Sequence, residues 1–224
     1  MYAIAIDGPA GAGKSSVAKA AAKALGFVYV DTGALYRTVG LYLLRSEVDP
    51  ADAEAVEPKL RDIQVDLKYE DGVQHVILNG EDVSGLIRTP EVSMAASACA
   101  SVPAVRKFLF SAQVDMAKKY NVIMDGRDIG TVILPDAPVK IFLTASAESR
   151  AERRYKELAE KGQQVTMESV LHDINERDRQ DMNRAIAPLR QAEDAVLLDT
   201  SALTLEESIA SVLRIIREKT EENK

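Results

Sequence analysis

Histidine and cysteine are scarce in this chain, with two and one among 224 residues, and tryptophan is absent. The single cysteine, Cys99, excludes an internal disulfide and fits a reducing compartment. It lies in the small-residue run Ala95-Ala96-Ser97-Ala98-Cys99-Ala100, which reads as buried packing rather than reactivity. His75 and His172 have no metal-ligand spacing, and no Ser-His-Asp set assembles around them. The first reads as a strand residue, the second as helix surface. No apolar run approaches the roughly 20 residues that span a bilayer. The N-terminus enters a strand without the basic segment and cleavage site of a signal peptide. Positive charge is short as well. The net charge of −7 argues against a duplex nucleic-acid partner, because phosphate-backbone binders are usually basic. No repeat or low-complexity tract occurs. These absences leave a cytoplasmic globular protein with neither membrane nor nucleic-acid partner; a monomer is expected. The length suits one domain with a full core.

The most informative stretch that is present runs Gly8-Pro9-Ala10-Gly11-Ala12-Gly13-Lys14-Ser15-Ser16. It follows the apolar run Tyr2-Ala3-Ile4-Ala5-Ile6 and precedes a helical pattern with Val17, Ala21 and Leu25. Strand, glycine-rich loop and helix is the context a G-x-x-x-x-G-K-[ST] phosphate loop requires. Its glycines let backbone N–H groups turn inward around phosphate oxygens, and the helix N-terminus adds partial positive charge. Lys14 offers a point charge to β- and γ-phosphates, and the Ser15 hydroxyl suits Mg²⁺.

Along the rest of the chain, short apolar runs at about residues 2–6, 28–30, 121–124, 139–143 and 195–198 alternate with helical patterns. This predicts an α/β fold with a doubly wound, mainly parallel five-stranded sheet, its ligands lying beyond the strand C-termini. Between Ile63 and Val83 the apolar period changes to two, with turn signals at Asp71-Gly72 and Asn79-Gly80. A small antiparallel meander is expected there, inserted into the core rather than standing alone. Thr89-Pro90-Glu91 starts a helix, and Pro103 opens another with Val105, Leu109, Ala112 and Met116 on one face. A charged helix is expected from Ser146 to Lys161, stopping at Gly162, and a further one from Thr166 to about Met182. Thr204-x-x-Glu207 is a capping box for the last helix, with Leu205, Ile209, Val212 and Ile216 facing the core. The terminal Glu-Glu-Asn-Lys is expected to fray.

Polar motifs end three of these strands. The first strand leads into the phosphate loop, the second ends at Asp31-Thr32-Gly33, and the third at Asp125-Gly126-Arg127-Asp128. Asp125 stands where a Walker B acid holds Mg²⁺. Arginines follow the same strand ends, at Arg37 and Arg127. Others lie on the charged helix (Arg150, Arg153, Arg154) and on one face of the next, where Arg177, Asp181 and Arg184 share helical spacing. Guanidinium forks bind phosphate bidentately, so a site handling two phosphorylated ligands needs several of them. No base for an alcohol stands out, although Asp31 or Asp128 can serve. A phosphate monoester, with a second pKa near 6, needs none.

Taken together, Gly8-Pro-Ala-Gly-Ala-Gly-Lys-Ser-Ser16, Asp31-Thr-Gly-Ala-Leu-Tyr-Arg37, Gly126-Arg-Asp-Ile-Gly-Thr131 and Arg177-Asp-Arg-Gln-Asp181 with Arg184 resemble the bacterial cytidylate kinase family. The resemblance spans nearly the whole chain and implies a single kinase domain over residues 1–224. Within it, a monophosphate-binding insertion occupies about 60–90 and a helical lid about 150–165. It implies ATP-dependent, Mg²⁺-assisted phosphorylation of CMP and dCMP in pyrimidine nucleotide metabolism. Residues 8–16 would bind ATP, with Arg153 and Arg154 as candidate lid contacts and Ser15 and Asp125 at the metal. Lys14, Arg37, Arg127 and Arg184 would act on the phosphates. Ser97, Arg106 and Asp128 would read the cytosine, Arg177 and Asp181 would hold the sugar side, and Arg37, Arg127 and Arg184 would clamp the acceptor phosphate. Family members differ just after the loop lysine, where Ser15 keeps the hydroxyl.

Two alternatives stay open on the residues. A P-loop kinase acting on an alcohol needs a hydroxyl-activating acid, and the arginine set speaks against it. A P-loop GTPase switch needs an Asn-Lys-x-Asp guanine motif, which is absent. Asp82-Val83-Ser84-Gly85 matches D-x-x-G only in spacing, at the end of the meander.

Overall fold

The computed structural model describes residues 1–70, 73–160 and 162–222. Its parallel sheet has five strands in the order β2-β6-β1-β7-β8. These are β1 (Ala3–Asp7), β2 (Val28–Asp31), β6 (Val122–Gly126), β7 (Val139–Thr144) and β8 (Val196–Asp199). The registers Asp7↔Gly126 and Asp31↔Asp125 bring the C-terminal ends of β1, β6 and β2 level with one another. Helices cover both faces: α1 (Lys14–Leu25), α2 (Thr32–Arg45), α3 (Ala53–Lys59), α4 (Pro90–Cys99), α5 (Pro103–Lys119), α6 (Ala147–Glu160), α7 (Met167–Asn183) and α8 (Leu205–Glu222). The strands read as near-continuous apolar runs because both sides are covered. Ile4, Ile6, Ile123 and Ile141 pack against Val17, Ala21, Val212 and Ile216 of α1 and α8. Ala5, Val30 and Met124 pack against Ile129 and Ile133 on the other face.

The inserted meander is present as β3 (Val65–Glu70), β4 (Val73–Leu78) and β5 (Glu81–Asp82), paired antiparallel. The Asp71-Gly72 turn lies outside the described residues, as do Lys161 and the last two residues. The buried side of the meander (Val76, Leu78, Val83) shares one cluster with Leu35, Val39 and Leu43 of α2 and Val92 and Ala96 of α4. It also reaches the main sheet: Gln74 accepts from the Asp31 N–H at 3.0 Å, and the Tyr69 hydroxyl donates to the Tyr29 carbonyl at 3.2 Å. α2 and α4 approach closely at Gly40, where a Cβ would meet the Ala96 nitrogen at 3.0 Å. That approach presents Ser97 to the site.

The helix boundaries follow local chemistry. Asp31 caps α2 by accepting from the Ala34 N–H at 2.9 Å, and Thr89 caps α4 from the Val92 N–H at 3.2 Å. Thr204 and Glu207 form the expected capping box, and Gly162, at φ +72°, follows α6. Two faces differ from expectation. On α5 the buried set is Val105, Arg106, Leu109 and Gln113, while Ala112 is exposed. Arg106 and Gln113 are buried because they turn polar ends to internal partners, Asp128 and the Leu109 carbonyl. On α8, Leu205 is exposed, and Ser208 is buried with its hydroxyl donating to the Thr204 carbonyl.

Candidate active site

A cleft of about 740 Å³ opens above the C-terminal ends of β1, β2 and β6. Its floor is the loop between β1 and α1. Gly8 must be glycine, because a Cβ there would stand 1.9 Å from the Leu143 carbonyl oxygen of β7. Gly11 and Gly13 take φ values of +74° and +87°, the left-handed region that glycine enters freely. Lys14 is buried and donates to the Pro9 carbonyl at 2.7 Å, closing the loop on itself. Burial and the nearby Arg127 push its pKa well below the ordinary lysine value, against the pull of Asp125. A phosphate oxygen beside it restores the charge.

Ser15 and Asp125 meet as expected, the hydroxyl donating to the carboxylate at 2.9 Å. The other Asp125 oxygen accepts from the Tyr29 hydroxyl at 2.8 Å. Burial, with the charge of Asp31, raises the Asp125 pKa, while Lys14, Tyr29 and Ser15 oppose the shift. One hydroxyl and one buried carboxylate fit Mg²⁺, which takes most of its ligands from phosphate and water. Among the described residues no cluster of three His, Cys, Asp or Glu side chains suits a metal.

Opposite the loop stands a set of guanidinium groups. Arg37 pairs with Asp31 at 2.8 Å, Arg127 with Asp181 at 2.9 Å, and Arg106 with Asp128. Ser97 donates to Asp181 at 3.0 Å, so Asp181 joins α4, α7 and the turn after β6. Burial opposes the Asp181 charge, but Arg127 and Arg177 outweigh it and hold the carboxyl below its usual range. Arg184 donates to the Ala187 carbonyl at 2.6 Å and faces Asp128 at 3.6 Å. The Nε atoms of Arg37 and Arg177 and one terminal nitrogen of Arg184 are buried without a hydrogen-bond partner. Burial and the neighbouring Arg127 lower Arg177 to about 10. A buried excess of guanidinium charge is costly unless an anion meets it.

Every candidate residue from the sequence except Gly8 and Pro9 lines this cleft, and these two precede Ala10 in the same loop. Arg153 and Arg154 line it too, but each has a local partner: Arg153 donates to the Thr200 carbonyl at 2.5 Å and Arg154 pairs with Glu157 at 2.8 Å.

A family model described as "Cytidylate kinase" matches residues 4–218. This chain belongs to the cytidylate kinase family. A "Cytidylate kinase" of Caldicellulosiruptor saccharolyticus is 50% identical over 95% of this chain and 94% of its own. Another from Thermosipho melanesiensis is 50% identical over 96% and 97%, and one from Carboxydothermus hydrogenoformans 48% over 97% and 98%. Among solved structures, a gluconokinase from Sinorhizobium meliloti superposes with a TM-score of 0.53 at 16% identity, covering 99% of this chain and 94% of the other. That likeness concerns the fold.

Two groups in this cytidylate kinase family site, Arg88 and Asp7, were not singled out by the motifs, and a third, Arg150, makes contacts that the motifs did not indicate. Arg88, in the segment after the meander, pairs with Asp31 at 3.3 Å beside Arg37. Arg150, expected in the lid, is buried and donates to the Ala145 and Ala10 carbonyls, both at 2.9 Å, and to Asp178 at 2.6 Å. It bolts α6 to α7 and to the phosphate loop. Asp7 is a buried carboxylate accepting from the Ile129 and Gly130 N–H groups at 2.8 and 2.7 Å. For Asp7 a signal existed, an acid ending an apolar strand just before the loop. Arg88 carried none, because its partner Asp31 is remote in sequence. No described helix is long and apolar enough to cross a membrane.

Proposed function

We propose that this protein transfers the γ-phosphoryl group of ATP directly to the phosphate of CMP or dCMP, giving CDP or dCDP. The observation that carries the reading is the meeting of a phosphate loop and an unsatisfied arginine set in one cleft, with the Arg106–Asp128 pair among its lining. Residues 8–16 hold the ATP phosphates, Lys14 contacting the β- and γ-oxygens. Ser15 and Asp125 would hold Mg²⁺, which would supply positive charge to offset that of the phosphates. Arg37, Arg127 and Arg184 grip the acceptor phosphate so that one of its oxygens faces the γ-phosphorus in line. No protein base is required, because that oxygen is already deprotonated at neutral pH.

Asp128 accepts from the cytosine N4 amine, and Arg106 donates to N3 and O2, with Ser97 beside them. Uracil would turn a carbonyl toward the carboxylate, and mismatched buried polar groups discriminate strongly. Arg177 and Asp181 hold the sugar side. We further propose one kinase domain acting as a cytoplasmic monomer. The monophosphate-binding region covers about 60–90, and a lid over about 150–165 pivots on buried Arg150 and brings Arg153 and Arg154 toward ATP.

The test is a coupled assay with ATP and Mg²⁺ against CMP, dCMP, UMP and AMP. The expected result is fast diphosphate formation with the cytidine nucleotides and weak formation with the others. No diphosphate from any monophosphate overturns the reading.

A further inference from the structure

Asp7 lies where the two halves of the site join. Its backbone ends β1 and leads directly into Gly8 of the phosphate loop, while its side chain crosses to the turn after β6. That turn is a single π-helical turn, Ile129–Ile133, closed by Ile133 N–H to the Asp128 carbonyl at 3.2 Å and Leu134 N–H to the Ile129 carbonyl at 2.7 Å. Such turns are uncommon and cluster at functional sites. Its first two amides point inward and both end on the Asp7 carboxylate. Asp128 and Arg127 immediately precede them in sequence. At Gly130 a Cβ would press on the Lys140 side chain at 3.1 Å and on Asp7 at 3.4 Å, so the turn approaches the carboxylate closely.

We infer that Asp7 is a positioning residue for acceptor selectivity: by binding both amides it fixes Asp128 and Arg127 relative to the phosphate loop. The inference rests on the reading of Asp128 as a cytosine contact. Asp7 itself contacts no reacting group. A carboxylate is required, because two successive N–H donors need two acceptor oxygens. Asparagine offers one, and its amide would set N–H against N–H. Burial pushes the Asp7 carboxyl up to about 6, with Asp128 adding to the shift and Gly130, Ile129 and Lys14 opposing it. At neutral pH it is therefore ionised and accepts both bonds.

Asp7→Asn in the full chain provides the test, with Ile4→Ala as the control that loosens the same strand without touching the turn. In Asp7→Asn the Ile129 and Gly130 amides exchange about tenfold faster, as expected on loss of a charge-assisted bond. The kcat/KM ratio of CMP over UMP falls by at least a comparable factor, while the KM for ATP changes less than about twofold. Ile4→Ala leaves the ratio as in wild type. An unchanged ratio in Asp7→Asn, or an equal fall in Ile4→Ala, overturns the inference. If Asp7→Asn does not fold, the wild-type Ile129 and Gly130 amide resonances serve. They shift together as Asp7 titrates near 6, with Lys14, Asp128 and Lys140 as the other charged groups facing it around the turn. Amides that stay put overturn it. A wild type inactive on CMP would instead sink the functional reading, and the amide measurements would still stand.

Discussion

Asp7 and Asp128 show how the site holds carboxylates that are costly to bury. The two backbone bonds to Asp7 do not compensate its burial, so its pKa sits near 6 rather than 3.8. The folded protein therefore binds this proton more tightly than the unfolded chain, and stability from this group falls as pH rises from about 4 to about 6. Above that window the ionised form carries a constant penalty. Asp7→Asn has no such titration. Wild type should thus gain about 2 kcal/mol relative to the variant between pH 7.5 and pH 4.5, measured by urea unfolding at each pH. A pH-independent difference would show that the carboxyl is not raised. Asp128 is buried too, and Arg106 and Arg184 face it. Asp128→Ala should lower CMP turnover and narrow the CMP-to-UMP preference by about 100-fold, as expected when a polar contact that discriminates between bases is lost. Steady-state assays giving an unchanged ratio would remove Asp128 from base recognition.

At the scale of elements, α6 and α7 are joined by the buried pair of Arg150 and Asp178. Arg150→Met leaves Asp178 buried without its partner and should cost about 3–5 kcal/mol, whereas Arg150→Met with Asp178→Leu should recover most of that loss. Denaturant unfolding of the single and double variants measures this. A single variant as stable as wild type would mean the pair is not a bolt. The same pair marks the limit of what could be read along the chain. Strand ends, the phosphate loop, the cap at Thr89, and the meander were legible because each is written in a few adjacent residues. The helix faces were less so. Arg106 and Gln113 look like surface residues by type, and only the tertiary partners Asp128 and Leu109 explain their burial. Arg150 falls at the start of the lid that the family resemblance implies, and its buried contacts had no sign along the chain. Its partner lies 28 residues away on another helix, and helical spacing cannot register that. Arg177, Asp181 and Arg184 were found on one face, yet Asp181 is paired with Arg127 across 54 residues.

For the whole molecule, the strand order decides which groups can meet. With β6 between β1 and β2, the Asp125 carboxylate comes beside the Ser15 hydroxyl, and the Arg127 turn comes over the phosphate loop. The proposed donor half is held by β1, β7 and Arg150. The proposed acceptor half draws on α2, α4, α5, α7 and the meander, so the site depends on elements from most of the chain. In the proposed reaction water competes with the acceptor phosphate at the γ-position. Asp31 is held as a helix cap and by Arg37 and Arg88, and Asp128 by Arg106, so neither carboxylate is free to orient a water. ATP hydrolysis without CMP should therefore run at least about 100-fold slower than transfer to CMP, because both general-base help and the positioned nucleophile are missing. Phosphate release from ATP alone, compared with CDP formation at matched enzyme and ATP concentrations, measures this. Cytidine, which carries the base but no phosphate, should leave the hydrolysis slow. Rapid hydrolysis in either condition would mean that water reaches the γ-phosphate activated, and that the arginine set is not what selects the nucleophile.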